Sequence, residues 1–352
     1  MQPLLIALLC IPGHAGKRRD SPAPAPDAAV PETAVPLAVV PALWPMGLPA
    51  SIGTLPAGLA NTSAQGCRAC HPALHAGWHA GHGSSARAEP WGAVSLGTDD
   101  PACRACHLPL TSQHPGEGFD AGLSLEGVTC AACHVRDGAV LTASETGVEA
   151  PHPLRHAPQL ADGTVCATCH ELTWPGAGAP LYDTWSQWAG SAYAEAGVGC
   201  TDCHAIHGQA EDPGRAVSVL LDVDRTTATR GGEPIHARVT LQNTGAGHPF
   251  PAGSPYRGVQ LRIALVPPTD DSAPIGVQDV VLARTLQDGP PWATVADTRL
   301  GIGEARSVEW TGALPQDAAA GAWFLQITLT ELFDGVPTAG PFVERRLPLT
   351  IH

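Results

Sequence analysis

The sequence has few of the side chains that usually fill a protein core. Aromatic residues make up only 5% of its 352 residues, and it has two methionines, whereas glycine and proline number 39 and 35. Large apolar side chains supply most of the area buried on folding. Part of this chain therefore needs some other material to fill its interior.

Positive charge is also scarce, and its distribution is uneven. Residues 61–212 carry 5 Arg, no Lys and 16 acidic residues, a net charge of −11, while residues 213–352 carry 11 Arg and 14 acidic residues, a net charge of −3. The first 60 residues sum to zero, which gives −14 in total. Nucleic acids select basic faces, so this composition argues against nucleic acid as a partner.

The N-terminus predicts export. Residues 3–11 form an apolar run, followed by Gly13, His14 and Ala15, and we interpret residues 1–15 as a secretory signal peptide. The expected location is periplasmic, outer-membrane-associated or extracellular. Lipidation of Cys10 is the alternative, and it would be the only membrane attachment, since no later stretch approaches the about 18 apolar residues of a spanning helix.

The remaining composition predicts a linker and two domains. Residues 16–60 are rich in Pro and Ala and predict a flexible or polyproline-like spacer. We then expect a cysteine-rich domain over residues 61–212 and a cysteine-free domain over residues 213–352.

Ten of the eleven cysteines fall into five Cys-x-x-Cys-His motifs. Two cysteines three residues apart present thiols to the two vinyl groups of one haem, and the adjacent histidine ligates its iron. Zinc sites do not require a histidine after every pair, and disulfides require none. The motifs therefore predict five covalently bound haem c groups, attached through Cys67, Cys70, Cys103, Cys106, Cys130, Cys133, Cys166, Cys169, Cys200 and Cys203 and ligated by His71, His107, His134, His170 and His204.

The motifs begin 36, 27, 36 and 34 residues apart. Each haem thus has little more than one supersecondary unit of chain around it. We expect the haems to be the core of this domain, with short helices at the motifs joined by Gly/Pro loops.

The sixth iron ligands are expected to be histidines. Both methionines precede the motifs, whereas eight further histidines are candidates. Eight are enough to supply a sixth ligand to each of the five irons. Bis-His ligation and an acidic domain both favour ferric iron, so low potentials are expected. The candidates are His75, His79, His82, His114, His152, His156, His207 and His248.

Three segments resemble the cytochrome c554-type multihaem family. Trp78 to His82 is similar to the family's Trp-x-x-x-His stretch after a motif, and Trp188 to Tyr193 resembles its Trp-x-x-Ser-x-Tyr segment before the last motif. Residues 243–257 resemble the Asn-x-Gly-x-Gly-His turn of a C-terminal β-domain. The resemblance implies His82 and His248 as distal ligands.

The chain departs from the family after the last motif. Many relatives have Met at this point, whereas this chain has His207, and we assign His207 as a ligand in place of that Met. With His114 and His152 completing the set, the five distal assignments are His82, His114, His152, His207 and His248. His75, His79 and His156 stay open as candidates.

The C-terminal region predicts β-structure. Six stretches alternate apolar and polar residues between Gly, Pro and Asp turns, and they show no catalytic constellation. His236 is expected to point outward from a strand. The expected fold class is multi-domain: a haem-packed, mostly irregular, short-helix cytochrome domain, then an all-β immunoglobulin-like sandwich.

The favoured function is electron transfer along mostly bis-His haems between redox protein partners. One alternative is a multihaem oxidoreductase with one open-site haem that acts on nitrogen or sulfur oxyanions. Pentahaem nitrite reductases typically use a Cys-x-x-Cys-Lys haem, and the only lysine here, Lys17, lies outside every motif. The other alternative is self-association into a conductive cytochrome filament.

Overall fold

A computed structural model describes residues 4–6, 49–82, 101–144, 149–173, 180–207, 212–267, 273–287, 293–318 and 321–352. The chain divides into two compact units. The β unit comprises Met1–Glu32, Thr173–Ala192 and Asp212–His352, and the motif unit comprises Thr33–Leu172 and Tyr193–Glu211. Of the predicted signal peptide and linker, only residues 4–6 and 49–60 are described, and Cys10 lies outside the described residues.

The helices are short, as the motif spacing predicts. None of those described is both long and apolar enough to cross a bilayer. They are α1 (Ala64–Arg68), α2 (Pro72–Ala80), α3 (Pro101–His107), α4 (Ala121–Ser124), α5 (Cys130–His134), α6 (Pro158–Ala161), α7 (Thr164–His170), α8 (Thr184–Ala189), α9 (Ala192–Glu195) and α10 (Cys200–Cys203).

Three short strands accompany the helices of the motif unit: β2 (Val135–Arg136), β3 (Ala139–Thr142) and β4 (Leu154–His156). β2 pairs with β3 in antiparallel and β3 with β4 in parallel fashion. The apolar clusters of this unit are small. One joins Leu110 and Leu123 to Ala131, Ala132 and Val135, and another joins Leu141 to Ala157. The described protein atoms of this unit therefore form only small cores.

The other strands, apart from β5 (Glu171–Thr173), belong to the β unit. Its core is large and apolar, and the buried residues of β9 and β14 alternate with more exposed ones. The strands are β1 (Leu4–Ile6), β6 (Pro180–Asp183), β7 (Val217–Val223), β8 (Thr227–Ala228), β9 (Ile235–Asn243), β10 (Arg257–Val266), β11 (Ile275–Leu286), β12 (Thr294–Asp297), β13 (Ala305–Gly312), β14 (Trp323–Phe333), β15 (Val336–Pro337) and β16 (Val343–Ile351).

These strands build two main sheets. One has the order β1-β7-β9-β13, and the other has the order β12-β11-β10-β14-β16-β8, with β15 paired to β14. All six predicted strand regions form strands, and His236 is exposed on β9, as expected. β11 was not predicted, because its exposed face carries Val277 and Val281 and breaks the alternation. An all-β region is thus confirmed, and its immunoglobulin-like classification stays a prediction.

A buried ion cluster fixes the segment before the fifth motif to the rest of the β unit. Asp183, at the end of β6, lies 3.4 Å from Arg299 and 3.6 Å from Arg284, and Arg299 also contacts Asp297 at 2.7 Å. Arg284 donates to the Leu181 carbonyl at 3.1 Å. Both arginine side chains are 7% exposed and Asp183 is 15% exposed. We call these four charged residues the Asp183 clamp.

Arg299 keeps its charge within the clamp. Desolvation alone would lower the pKa of Arg299, but hydrogen bonds and charge from Asp297 and Asp183 raise it above its ordinary value. Buried ion pairs are costly to break, because one charge is left uncompensated. The clamp therefore holds β6 in place more firmly than a surface ion pair could.

We expect Asp183→Ala to lower the free energy of unfolding of the β unit by about 3 kcal/mol, because it leaves two buried guanidinium groups without this carboxylate. The matched control is Asp279→Ala, which breaks an exposed pair with Arg262 at 2.8 Å and should cost below about 1 kcal/mol. Thermal unfolding of both variants measures the difference. Equal losses would show that the clamp is energetically an ordinary surface pair.

Candidate haem-attachment sites

All five motifs lie at short helices, and the helix ends place the motif histidines. α3, α5 and α7 end at His107, His134 and His170, and His204 is the C-cap of α10. The first motif spans the end of α1, and its His71 is the N-cap of α2. Residues three apart in a helix share one face, so each helical pair can present both thiols on the same side.

The described cysteines are free thiols. Their contacts link different motifs: hydrogen bonds join Cys67 with Cys130 and Cys166 with Cys200. These bonds lower the pKa of Cys67 and of Cys200 to about 7 and raise the pKa of their partners.

A third thiol pair joins the second and fourth motifs. A hydrogen bond from Cys169 lowers the pKa of Cys106, and the same bond raises the pKa of Cys169. The side chain of Cys103 lies outside the described residues. Motifs that begin 34 to 63 residues apart in the chain are thus neighbours in the motif unit, and sequence spacing alone could not pair them.

His134 has the best-defined orientation among the motif histidines. Its Nδ1 donates a hydrogen bond to the Leu141 carbonyl at 2.8 Å. A proton held on Nδ1 leaves Nε2 as the lone-pair nitrogen, the arrangement that second-shell carbonyls impose on metal-ligating histidines. The third motif therefore offers an imidazole already turned to bind iron.

Two histidine pairs have the spacing of axial ligands. The ring centroids of His134 and His207 are 5.8 Å apart, and those of His82 and His170 are 6.4 Å apart. Two imidazoles on opposite sides of one metal, each bonded at about 2 Å, have ring centres roughly 6 Å apart. Each pair joins one motif histidine with one histidine that we predict as a distal ligand.

The protonation of these distal candidates also suits ligation. Desolvation lowers the pKa of both His82 and His207. The neighbouring imidazole of His204 lowers the pKa of His82 further, and that of His134 lowers the pKa of His207 further. A lowered pKa keeps each ring neutral near pH 7, and the neutral ring is the form that binds metals.

The other predicted distal ligands have varied surroundings. His152 has a buried Nδ1 without a hydrogen-bond partner, an orphan that iron ligation would satisfy. His114 directs Nε2 to the Leu108 carbonyl at 2.7 Å. His248 belongs to the β unit, and its Nδ1 lies 3.1 Å from the Pro249 carbonyl. These three assignments stay predictions.

The open candidates differ in burial. His75 is buried, with its ring 5.2 Å from that of Trp78 and its Nε2 3.4 Å from Nε2 of Gln65. His79 and His156 are exposed. All three stay open as candidates.

Sequence reasoning missed Arg136. This residue lies two positions after the third motif and is only 5% exposed. No motif and no periodicity marks this residue, because its burial depends on how the chain turns from α5 into β2. Leu141 was missed for a similar reason, because it acts through its backbone carbonyl.

The donor set fits haem c. Each motif supplies two cysteines and one histidine, and two of the motif histidines face a second histidine at ligand spacing. Within the described ranges, no group of three or more His, Cys, Asp or Glu side chains is placed to hold a bare metal ion. Haem iron takes its four equatorial bonds from the porphyrin and needs only two axial ligands from the protein.

Comparison with known proteins gives an informative likeness to a solved structure. No family model and no curated protein matches the chain. The penta-haem cytochrome c552 of Thermochromatium tepidum has a similar structure, with a TM-score of 0.61, 17% identity, 84% coverage of this chain and 100% of that one. This likeness shows that the chain shares the fold of a multihaem cytochrome.

Two other solved structures match less well. The CARDB domain of a Pyrococcus furiosus protein covers 39% of this chain and 94% of its own, at 10% identity and a TM-score of 0.22. A DNA glycosylase of Pseudomonas fluorescens covers 42% of this chain and 32% of its own, at 14% identity and a TM-score of 0.21. Scores this low support no conclusion about fold or function.

The His134–His207 pair leads to a spectroscopic prediction. In the haem-loaded protein, His207→Ala should leave one iron with an open or water-filled position, so one ferric haem becomes high-spin. His236→Ala is the control, since it removes an exposed histidine of β9 that is not a ligand candidate, and it should leave the spectrum unchanged. Electron paramagnetic resonance of the oxidised proteins measures both. An all low-spin spectrum for His207→Ala would rule out this ligand assignment.

Proposed function

We propose that this chain is a pentahaem c-type cytochrome, related to the cytochrome c554-type family, that passes electrons between redox protein partners outside the cytoplasm. The observation that carries the proposal is the third motif. There a motif histidine is oriented by a backbone carbonyl and faces His207 at 5.8 Å. Together with Cys130 and Cys133, these two imidazoles supply the two thioether positions and the two axial ligands that one haem c takes from a protein.

The fold likeness supports the haem number. The penta-haem cytochrome c552 is covered over its whole length by this chain, and this chain carries five attachment motifs. The haem supplies one-electron chemistry when bound. The cysteines fix each group covalently, and the motif histidines orient it.

The distal histidines decide between a carrier and an enzyme. An imidazole on the sixth position excludes a substrate from the iron, whereas an open position admits one. The pairs His134–His207 and His82–His170 support closed sites for the third and fourth motifs. This favours electron transfer over an oxidoreductase acting on nitrogen or sulfur oxyanions.

The contacts between motifs support close spacing of the attached groups. Cysteine contacts connect the first motif to the third, the second to the fourth and the fourth to the fifth. Short distances between redox groups are what a conduit requires. The acidic composition of this region and bis-His ligation both favour ferric iron and hence low potentials.

The location and attachment of the protein are part of the proposal. Residues 1–15 would direct export, and Cys10 offers a lipid anchor if the signal is of the lipoprotein type. Self-association into a conductive filament is a separate outcome. Electron microscopy of the purified haem-loaded protein would reveal filaments.

The mass of the purified chain tests the haem count. We expect five haems per chain, and the double variant Cys130→Ser with Cys133→Ser should lose one haem, because both thioether bonds of that site are removed. Ser307→Ala is the control, since it changes an exposed hydroxyl on β13 of the β unit, and it should keep all five. A wild-type chain that carries no haem would refute the proposed function.

The oxidised wild-type protein separates the two function classes. We expect every ferric haem to be low-spin, because two nitrogen ligands create a strong ligand field. Electron paramagnetic resonance measures the spin state of each haem. A high-spin haem in the wild type would favour the open-site oxidoreductase.

A further inference from the structure

Arg136 is a buried cation at the end of the third-motif helix. Its residue is 5% exposed. The guanidinium donates hydrogen bonds of 3.1, 2.7 and 2.6 Å to the backbone carbonyls of Ala131, Ala132 and Val135. The positive charge is therefore held against the carbonyl end of α5, the helix that carries Cys130, Cys133 and His134.

This charge lies directly beside the attachment site. Two of the carbonyls that it bonds, those of Ala131 and Ala132, stand between Cys130 and Cys133, and the third, that of Val135, follows the motif histidine. Arginine stays protonated even when buried, and buried charges are screened by salt much less than exposed ones.

Arg136 is unusual within its unit. Residues 61–212 contain five arginines against 16 acidic residues. Arg68 and Arg155 are exposed and Arg104 is half-buried, while Arg87 lies outside the described residues. Among the arginines that the structure describes in the motif unit, the third motif alone has a buried one beside a cysteine of its own helix.

We propose that Arg136 tunes the third site: its buried charge raises the reduction potential of the haem attached through Cys130 and Cys133. The proposal rests on the proposed function. Reduction adds one electron to the haem, and a nearby positive charge stabilises the added negative charge. Net charge around a redox centre is one of the factors that set its potential. In an otherwise acidic unit, the third haem would hold its electron longest.

A purely structural role is the competing explanation. Arg136 satisfies three carbonyls at a helix end, and their loss would loosen α5. Lysine separates the two roles, because it keeps the charge but loses the planar fork that bonds several carbonyls. A charge effect therefore survives Arg136→Lys, whereas an effect of the hydrogen bonds does not.

The test is a potentiometric titration of the haem-loaded protein, followed optically and resolved into five one-electron steps. With Arg136→Gln, we expect one step to move to lower potential, with the ferrous-to-ferric ratio at a given potential falling about tenfold, or about 59 mV for one electron. Arg136→Lys should keep that ratio within about twofold. Arg238→Gln removes an exposed charge on β9 of the β unit and should leave all five steps unchanged.

Two results would overturn the inference: five unchanged steps in Arg136→Gln with five haems attached, or a shift in Arg136→Lys as large as tenfold. If Arg136→Gln does not accumulate with haem, Arg136→Met serves as the charge-neutral variant, and the same shift to lower potential is expected of it. Haem content by mass is measured in parallel. Absence of haem from the wild type would instead refute the proposed function.

Discussion

The constraint on which this structure depends is that the described residues of the motif unit supply few side chains to fill its interior. Its apolar clusters are a few residues each, whereas the β unit buries a continuous core that includes Trp310 and Trp323. Conformational entropy is lost on folding in both units alike. In the motif unit a bound prosthetic group would have to contribute what side chains do not, so its folding and its cofactor loading are expected to be one process.

Much of this could be predicted from the sequence. The Cys-x-x-Cys-His pattern is local, so the short helices at the motifs follow from a few consecutive positions, while haem attachment at those positions stays a prediction. The alternating strands of the C-terminal region follow from period-2 burial. β11 was not predicted, because it carries the valines Val277 and Val281 on its exposed face. Its apolar and polar residues therefore do not alternate along the sequence.

What the sequence could not provide is everything that depends on long-range approach. The pairing of His134 with His207 joins residues 73 positions apart, and no spacing rule selects it over seven other histidines. The Leu141 carbonyl acts through the backbone and is invisible in residue identity. Arg136 is one arginine among eighteen, and only its burial under α5 distinguishes it.

The Asp183 clamp also bears on whether the two units of the chain could be separated or exchanged during evolution. The segment from Thr173 to Ala192 lies between the fourth and fifth motifs, yet it belongs to the β unit, where Arg284 and Arg299 hold it. A cut near residue 212 would therefore leave neither piece whole. The β region therefore cannot be added to another protein, or exchanged, without this segment. Substitutions in the β region are expected to accompany substitutions in the segment from Thr173 to Ala192 that it binds.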